Sequence, residues 1–244
     1  MKSSLHKSIT TSALILCVML ATLTPSHASG IQQQQDPLYP FRSSVFLQDD
    51  FTTGSTTSGL IGALGWGASV AVTVPGGGTN PGVISLATGA VSGTVARLNS
   101  LGSQPYFASL NIASLFRVAL QTNDANTTVR VGITDNFTVN PPNNGIYFEK
   151  LDADTNWFCV TRSGAVQTRV DSGVAITTSF TNLAHSRNSS GVTFKIDQAT
   201  VCGLMSTNVP TSGVGQGIHI INSAAASKDI QVDYAELAIT GLNR

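Results

Sequence analysis

The stretch Ile146–Val174, IYFEKLDADTNWFCVTRSGAVQTRVDSGV, restricts the fold more than any other part of the chain. It reads as a strand over Ile146–Leu151, a polar turn over Asp152–Asn156 and a strand over Trp157–Arg162. A Ser163–Gly164 turn and a strand over Ala165–Val170 follow, and Asp171-Ser-Gly173 turns the chain again. Three strands joined by tight turns form an antiparallel meander, which must bury one face against further strands.

The flanking segments supply them. Val45–Phe51 reads as the first strand, and Val70–Val74, Val83–Ala87 and Thr94–Leu98 as short ones around an irregular Pro75–Gly82 loop. Ser114–Gln121 and Thr128–Thr134 alternate apolar and polar residues, and Thr122–Thr127 between them reads as a hairpin connection. Phe180–His185, Val192–Ile196, Thr200–Met205, Ile218–Ile221 and Ile230–Ile239 complete the set. Roughly a dozen strands at this spacing predict an all-β fold, a two-sheet antiparallel sandwich of jelly-roll type. Composition agrees. Only 11% of residues are charged, against about 25% in an average soluble domain. Glutamate occurs only at 149 and 236, so the chain lacks a main ingredient of solvated helices.

Residues 1–28 read as a secretory signal. Lys2 and Lys7 precede the apolar run Ala13–Leu23, which is too short to span a bilayer, and Ser26-His27-Ala28 suits cleavage after Ala28. Residues 29–44, with four consecutive glutamines and two prolines, read as a flexible leader, and 45–244 as the sandwich domain. Without the signal, eleven basic residues face thirteen acidic ones, a net charge of −2. No basic stripe survives, which argues against nucleic acid and against membrane insertion of the mature chain. The expected localisation is secreted or periplasmic. Two cysteines remain, Cys159 and Cys202. In an oxidising compartment they either bridge, which requires Cα atoms within about 7 Å, or sit apart as small buried apolar side chains.

A set of short motifs occurs in a suggestive order. Asp49-Asp50-Phe51, Leu64-Gly65-Trp66 and Arg130-Val131-Gly132 come first. Gly145-Ile-Tyr-Phe148, Asn156-Trp157, Val160-Thr-Arg-Ser-Gly164 and Asp171-Ser-Gly-Val174 follow. Phe194-Lys-Ile-Asp197, Thr207-Asn-Val-Pro210 and Val232-Asp-Tyr234 close the series. The series resembles the concanavalin A-like lectin/glucanase (LamG-like) jelly-roll superfamily, in the variety found in phage structural proteins and exported bacterial proteins. The resemblance implies two curved sheets packed face to face, with glycan held on the concave one.

Sites of chemistry are sparse. Glucanases of this superfamily place carboxylates at alternate positions of one strand, where they meet the same sugar. Here Glu149 and Asp152 are an odd number of residues apart, so Glu149 is expected as a solvated strand residue paired with Arg162 or Arg169. Lyases of the same fold use Gln-x-His with Tyr and Arg. Gln216-Gly-Ile-His219 is one residue longer, which sends His219 to the face opposite Gln216 and away from the core. Asp152, Asp154 and Asn156 resemble the first half of a calcium loop, but Trp157 stands where that loop has glycine, and the three are equally good turn formers. The cofactor expectation is therefore none, with calcium at those three residues as the alternative. Trp66 and Trp157 suit either sugar stacking or the core. The reading sets Trp157 and Cys159 inward and leaves Trp66 and Tyr147 as ligand-binding candidates, with no catalytic residue. The expected function is an exported noncatalytic module that binds glycan or a surface protein. The alternatives are a structural subunit of an extracellular or virion-like assembly, with which a homo-oligomer is compatible, and a carbohydrate-active enzyme.

Overall fold

The computed structural model describes residues 44–52, 61–70, 72–73, 82–100, 106–107 and 111–241. The signal segment 1–28, all but the last residue of the 29–44 leader, and most of the Pro75–Gly82 loop lie outside them. Sixteen strands are present among the described residues: β1 (Ser44–Asp49), β2 (Gly67–Ala68), β3 (Val72–Thr73), β4 (Ile84–Ala87), β5 (Val95–Asn99), β6 (Tyr106–Phe107), β7 (Asn111–Leu120), β8 (Thr127–Thr134), β9 (Gly145–Lys150), β10 (Asn156–Ser163), β11 (Val166–Ala175), β12 (Thr181–Asn188), β13 (Gly191–Ile196), β14 (Ala199–Met205), β15 (Gly213–Asn222) and β16 (Asp229–Thr240).

All pairings are antiparallel and form two eight-stranded sheets. The first runs β14-β13-β12-β7-β16-β4-β3, with β1 also on β16; the second runs β11-β10-β9-β8-β15-β5-β2, with β6 also on β15. The expected all-β, two-sheet jelly-roll sandwich is the observed architecture. The two sheets meet through alternate side chains. Phe116, Leu183, Phe194 and Leu237 of the first and Leu98, Val131, Phe148 and Ile218 of the second belong to one core. Phe148 and Phe194 lock the layers with ring centroids 5.2 Å apart, edge to face.

Several local features explain the shape. On β16, β4 pairs with residues 229–232 and β1 with 235–240, so two strands share one edge. Asp233 is the extra residue of a bulge between them and ion-pairs with Arg117. The bulge resets the alternation, so Ile230, Val232, Ala235, Leu237 and Ile239 all reach the core.

The meander forms as read, with one difference. Asp171-Ser-Gly173 does not end the third strand, because β11 continues to Ala175. The turn chemistry is real: Gly173 N–H donates to Asp171 Oδ1 at 2.8 Å, with Gly173 at φ +70°. It is spent on a bulge opposite Asn156–Phe158.

The Thr122–Thr127 segment is likewise not a hairpin. It crosses from β7 in the first sheet to β8 in the second. Two buried ammonium groups hold this arch. Lys150 Nζ donates to the carbonyls of Asp124 at 2.8 Å and Thr127 at 2.9 Å, and Lys228 Nζ pairs with the Asp124 carboxylate. Burial raises the Asp124 pKa, but hydrogen bonds from Lys228, Thr127 and Asn126 outweigh it and bring it down to about 2. Cys159 of β10 and Cys202 of β14 form a disulfide between the sheets, with Cα atoms 6.3 Å apart.

Candidate functional site

The registers of the second sheet set outward-facing residues in rows. Arg97, His219, Arg130, Glu149, Phe158 and Asp171 are successive partners from β5 to β11. The neighbouring row is Asn99, Gly217, Gly132, Tyr147, Val160 and Arg169. The positions between these rows, such as Leu98, Ile218, Val131, Phe148 and Cys159, lie in the core, so the rows face away from it.

Glycine shapes this face. A Cβ on Gly145 would lie 2.8 Å from the Tyr147 ring, and one on Gly217 2.7 Å from the Phe137 ring. Each ring occupies the space a side chain would take. Phe137 belongs to the strap 135–144, which links β8 to β9 and folds back over the sheet. The root of the strap is closed by Asp135 N–H to Asn144 O at 2.9 Å and Asn144 Nδ2 to Asp135 Oδ2 at 2.8 Å.

Beneath the strap, Glu149 is 1% exposed. It accepts from Arg130 Nε on one oxygen and Arg169 Nε on the other, each at 2.8 Å. Arg169 stacks 3.4 Å above the Phe158 ring and also pairs with Asp154. Arg130 donates from Nη1 to Asn140 Oδ1 of the strap at 2.6 Å, and its guanidinium lies 6.0 Å from the Tyr147 ring. Four buried atoms of this face have no hydrogen-bond partner: Tyr147 Oη, His219 Nε2, Thr134 Oγ1 and Arg162 Nε. Burial, then the charges of Arg130 and Arg97, push the His219 pKa down to about 4. Burial, then the Glu149 charge, pushes Tyr147 up to about 12, against the pull of Arg130 and Arg162. At neutral pH the imidazole is uncharged and the phenol keeps its proton. Together the four groups offer donors and acceptors suited to a hydroxyl-rich ligand.

The sequence candidates fare unevenly. Tyr147 lies on this face, although it is fully buried. Trp66 does not. It is 1% exposed, packs between Phe51 and Phe116, and donates from Nε1 to the buried Asp49 carboxylate at 3.1 Å. Asp49 also accepts from the Phe51 and Leu64 N–H groups, so Trp66 belongs to a core plug and presents no face to a ligand. Trp157, 2% exposed, is in the core. Glu149 pairs with Arg169 as read but is buried rather than solvated. Gln216 and His219 do face opposite ways. Gln216 donates inward to Ser114 Oγ at 3.0 Å and the Glu236 carbonyl at 2.7 Å. His219 faces away from the core but is only 2% exposed.

Asp152, Asp154 and Asn156 do not converge. Asp152 accepts from Thr128 Oγ1 at 3.0 Å, Asp154 from the Leu151 N–H at 2.7 Å and from Arg169, and Asn156 donates to Asp171. Among the described residues no group of three or more His, Cys, Asp or Glu side chains could hold a metal ion. The sequence reading missed Arg130, Arg162 and Thr134 as parts of this face. The available signal was glycine within strands, at 132, 145 and 217, which marks close approach of other groups.

No protein-family model and no curated protein sequence matches the chain. Solved structures do. A protein of unknown function from Shewanella oneidensis MR-1 is similar at 12% identity, with TM-score 0.56 over 84% of this chain and 90% of that one. A β-1,3-1,4-glucanase (lichenase) from a mouse hindgut metagenome gives 12% identity and TM-score 0.55 over 81% and 99%. The Emp47p carbohydrate recognition domain gives 9% identity and TM-score 0.56 over 81% and 95%. At these identities the likeness is one of fold, the two-sheet jelly-roll sandwich.

Proposed function

We propose that the chain is an exported, noncatalytic jelly-roll module that binds glycan on the outer face of its second sheet. One observation carries the reading. Tyr147 Oη, His219 Nε2, Thr134 Oγ1 and Arg162 Nε are all buried on that face without partners, on four neighbouring strands. Buried polar groups are normally satisfied, and such a set on one face is the counterpart of a missing hydroxyl-bearing ligand that spans several strands. Support for export comes from the signal-like start and from the Cys159–Cys202 disulfide, which suits an oxidising compartment. The fold shared with a glucanase and a carbohydrate recognition domain agrees with this reading. The test is a glycan array probed with the full chain and with Tyr147→Phe, which deletes only the hydroxyl. Binding that is lost in the variant supports the reading. An array without any hit, together with a defined oligomer in light scattering, would favour a structural subunit of an assembly.

A second reading, a carbohydrate-active enzyme, is favoured by His219, Tyr147 and Arg130 sharing one face. Product release from a polysaccharide panel, abolished by His219→Ala, would replace the noncatalytic reading with it.

A further inference from the structure

The middle of the strap, 136–142, is held to the sheet by little. Only Phe137 and Pro142 of the strap's residues are buried. Its interior bonding is local, with Asn136 Oδ1 accepting from both the N–H and the hydroxyl of Thr138 at 2.6 Å. The C-terminal end is fixed to the β10–β11 turn, where the Asn143 carbonyl accepts from the Ala165 N–H and Asn144 Oδ1 from the Gly164 N–H, each at 2.9 Å. Over the face itself two contacts tie the middle down: the Phe137 ring on Gly217, and the Asn140 side-chain oxygen on Arg130.

The second contact is chemically uneven. Arginine's planar fork is best matched by a carboxylate, and a charge-assisted pair is roughly twice as strong as a bond to a neutral oxygen. Arg130 gives one edge to Glu149 and another to the neutral carboxamide of Asn140. Around Tyr147 and His219, the positive groups are Arg97, Arg130 and Arg162, and the carboxylate beside them is Glu149, whose charge Arg169 already shares. Asp154 pairs with Arg169, Asp171 lies on β11 and Asp135 at the root of the strap. The part of the face around Tyr147 and His219 is therefore short of negative charge as well as of hydrogen-bond partners.

We propose that the strap is a displaceable internal occupant, and that Asn140 holds the place on Arg130 which the carboxylate of an acidic saccharide takes when the strap lifts. This rests on the glycan-binding reading and adds the ligand's class and the route of entry. With the strap raised, Arg130 meets the carboxylate, while Tyr147 Oη, His219 Nε2 and Arg162 Nε meet ring hydroxyls. Affinity is reduced by the fraction of molecules whose strap is closed, so weakening the strap raises it.

The test is titration calorimetry of the full chain with tetragalacturonate, neutral cellotetraose and poly-glutamate. The variants are Asn140→Ala, Phe137→Ala, Arg130→Lys and, should the buried Arg130 site misfold, Arg162→Gln. Circular dichroism confirms folding. Asn140→Ala and Phe137→Ala are expected to bind tetragalacturonate at least about threefold more tightly than wild type, as a population shift requires. Arg130→Lys, which loses the planar match to the carboxylate, or Arg162→Gln, which loses a charge-assisted bond to a ring hydroxyl, is expected to weaken it at least about tenfold. Unchanged or weaker binding in Asn140→Ala, or equal binding of cellotetraose, overturns this proposal and leaves glycan binding standing. Equal or tighter binding of poly-glutamate overturns the saccharide assignment. No binding of any saccharide by any variant overturns both.

Discussion

Glu149 is clasped by Arg130 and Arg169, one carboxylate oxygen to each Nε at 2.8 Å. The carboxylate that looked most available for chemistry in the sequence is instead part of a charge chain Arg130–Glu149–Arg169–Asp154, buried at Arg130 and Glu149 and half-buried at Arg169 and Asp154. Breaking a buried pair leaves an uncompensated charge, which costs more than the pair contributes. Glu149→Ala should destabilise the protein by about 3–5 kcal/mol in urea unfolding. A loss below about 1 kcal/mol would show the chain to be solvated, like an exposed pair.

The disulfide closes a span of 43 residues between the two sheets. Joining β10 to β14 restricts the unfolded chain, and removing such a link costs about 2–4 kcal/mol. Cys159→Ser with Cys202→Ser should lower the thermal midpoint under oxidising conditions and have no further effect under reduction. An identical midpoint in wild type and double variant without reductant would contradict the bridge.

Two buried histidines make the fold acid-sensitive. Burial holds His185 down to about 3, and burial with two arginines holds His219 to about 4. Both fall below the unfolded value of about 6.5. The unfolded chain then binds protons that the folded one refuses. Stability falls as pH drops below about 6.5, by up to about 1.4 kcal/mol per pH unit for each imidazole, until the folded pKa is reached. Denaturant midpoints measured from pH 7 to 4 should follow this slope, and His185→Leu should remove part of it. A flat profile in wild type would show that neither imidazole resists protonation.

Two glycines should separate space from backbone strain. A Cβ on Gly132, at φ +154°, would sit 2.5 Å from the Ile146 carbonyl oxygen, whereas one on Gly93, at φ +84°, would meet nothing within 4 Å. Gly93→Ala should cost about 1 kcal/mol of backbone strain. Gly132→Ala adds a backbone clash in the middle of the sheet and should cost at least about 2 kcal/mol more. Equal losses in equilibrium unfolding would show that the sheet yields at Gly132 without penalty.

The sequence carried some of this and not the rest. Alternation at Val192, Phe194 and Ile196 or at Val129, Val131 and Ile133 shows strands and their inner faces directly, because the period of two is a property of the pleat. It does not show what covers an outer face. Glu149 and His219 have the alternation of solvated residues; the arginines that clasp Glu149, Arg130 and Arg169, and the Phe137 ring that crosses Gly217 come from other segments that no local pattern specifies. Thr122–Thr127 has the length and polarity of a hairpin, and only the long-range contacts of Lys150 and Lys228 make it an arch between sheets. Trp66 misled for a related reason. Its partner Asp49 lies seventeen residues away, and a tryptophan with a distant buried acceptor looks the same in sequence as an exposed one.

The placement of β15 and β16 makes each layer depend on one interior strand. β16 is bonded to β7, β4 and β1, and β15 to β8, β5 and β6, so without these two strands each sheet falls into separate pieces. Most native contacts bridge long sequence separations, which slows folding. Each layer therefore closes cooperatively, when its interior strand docks and joins the pieces.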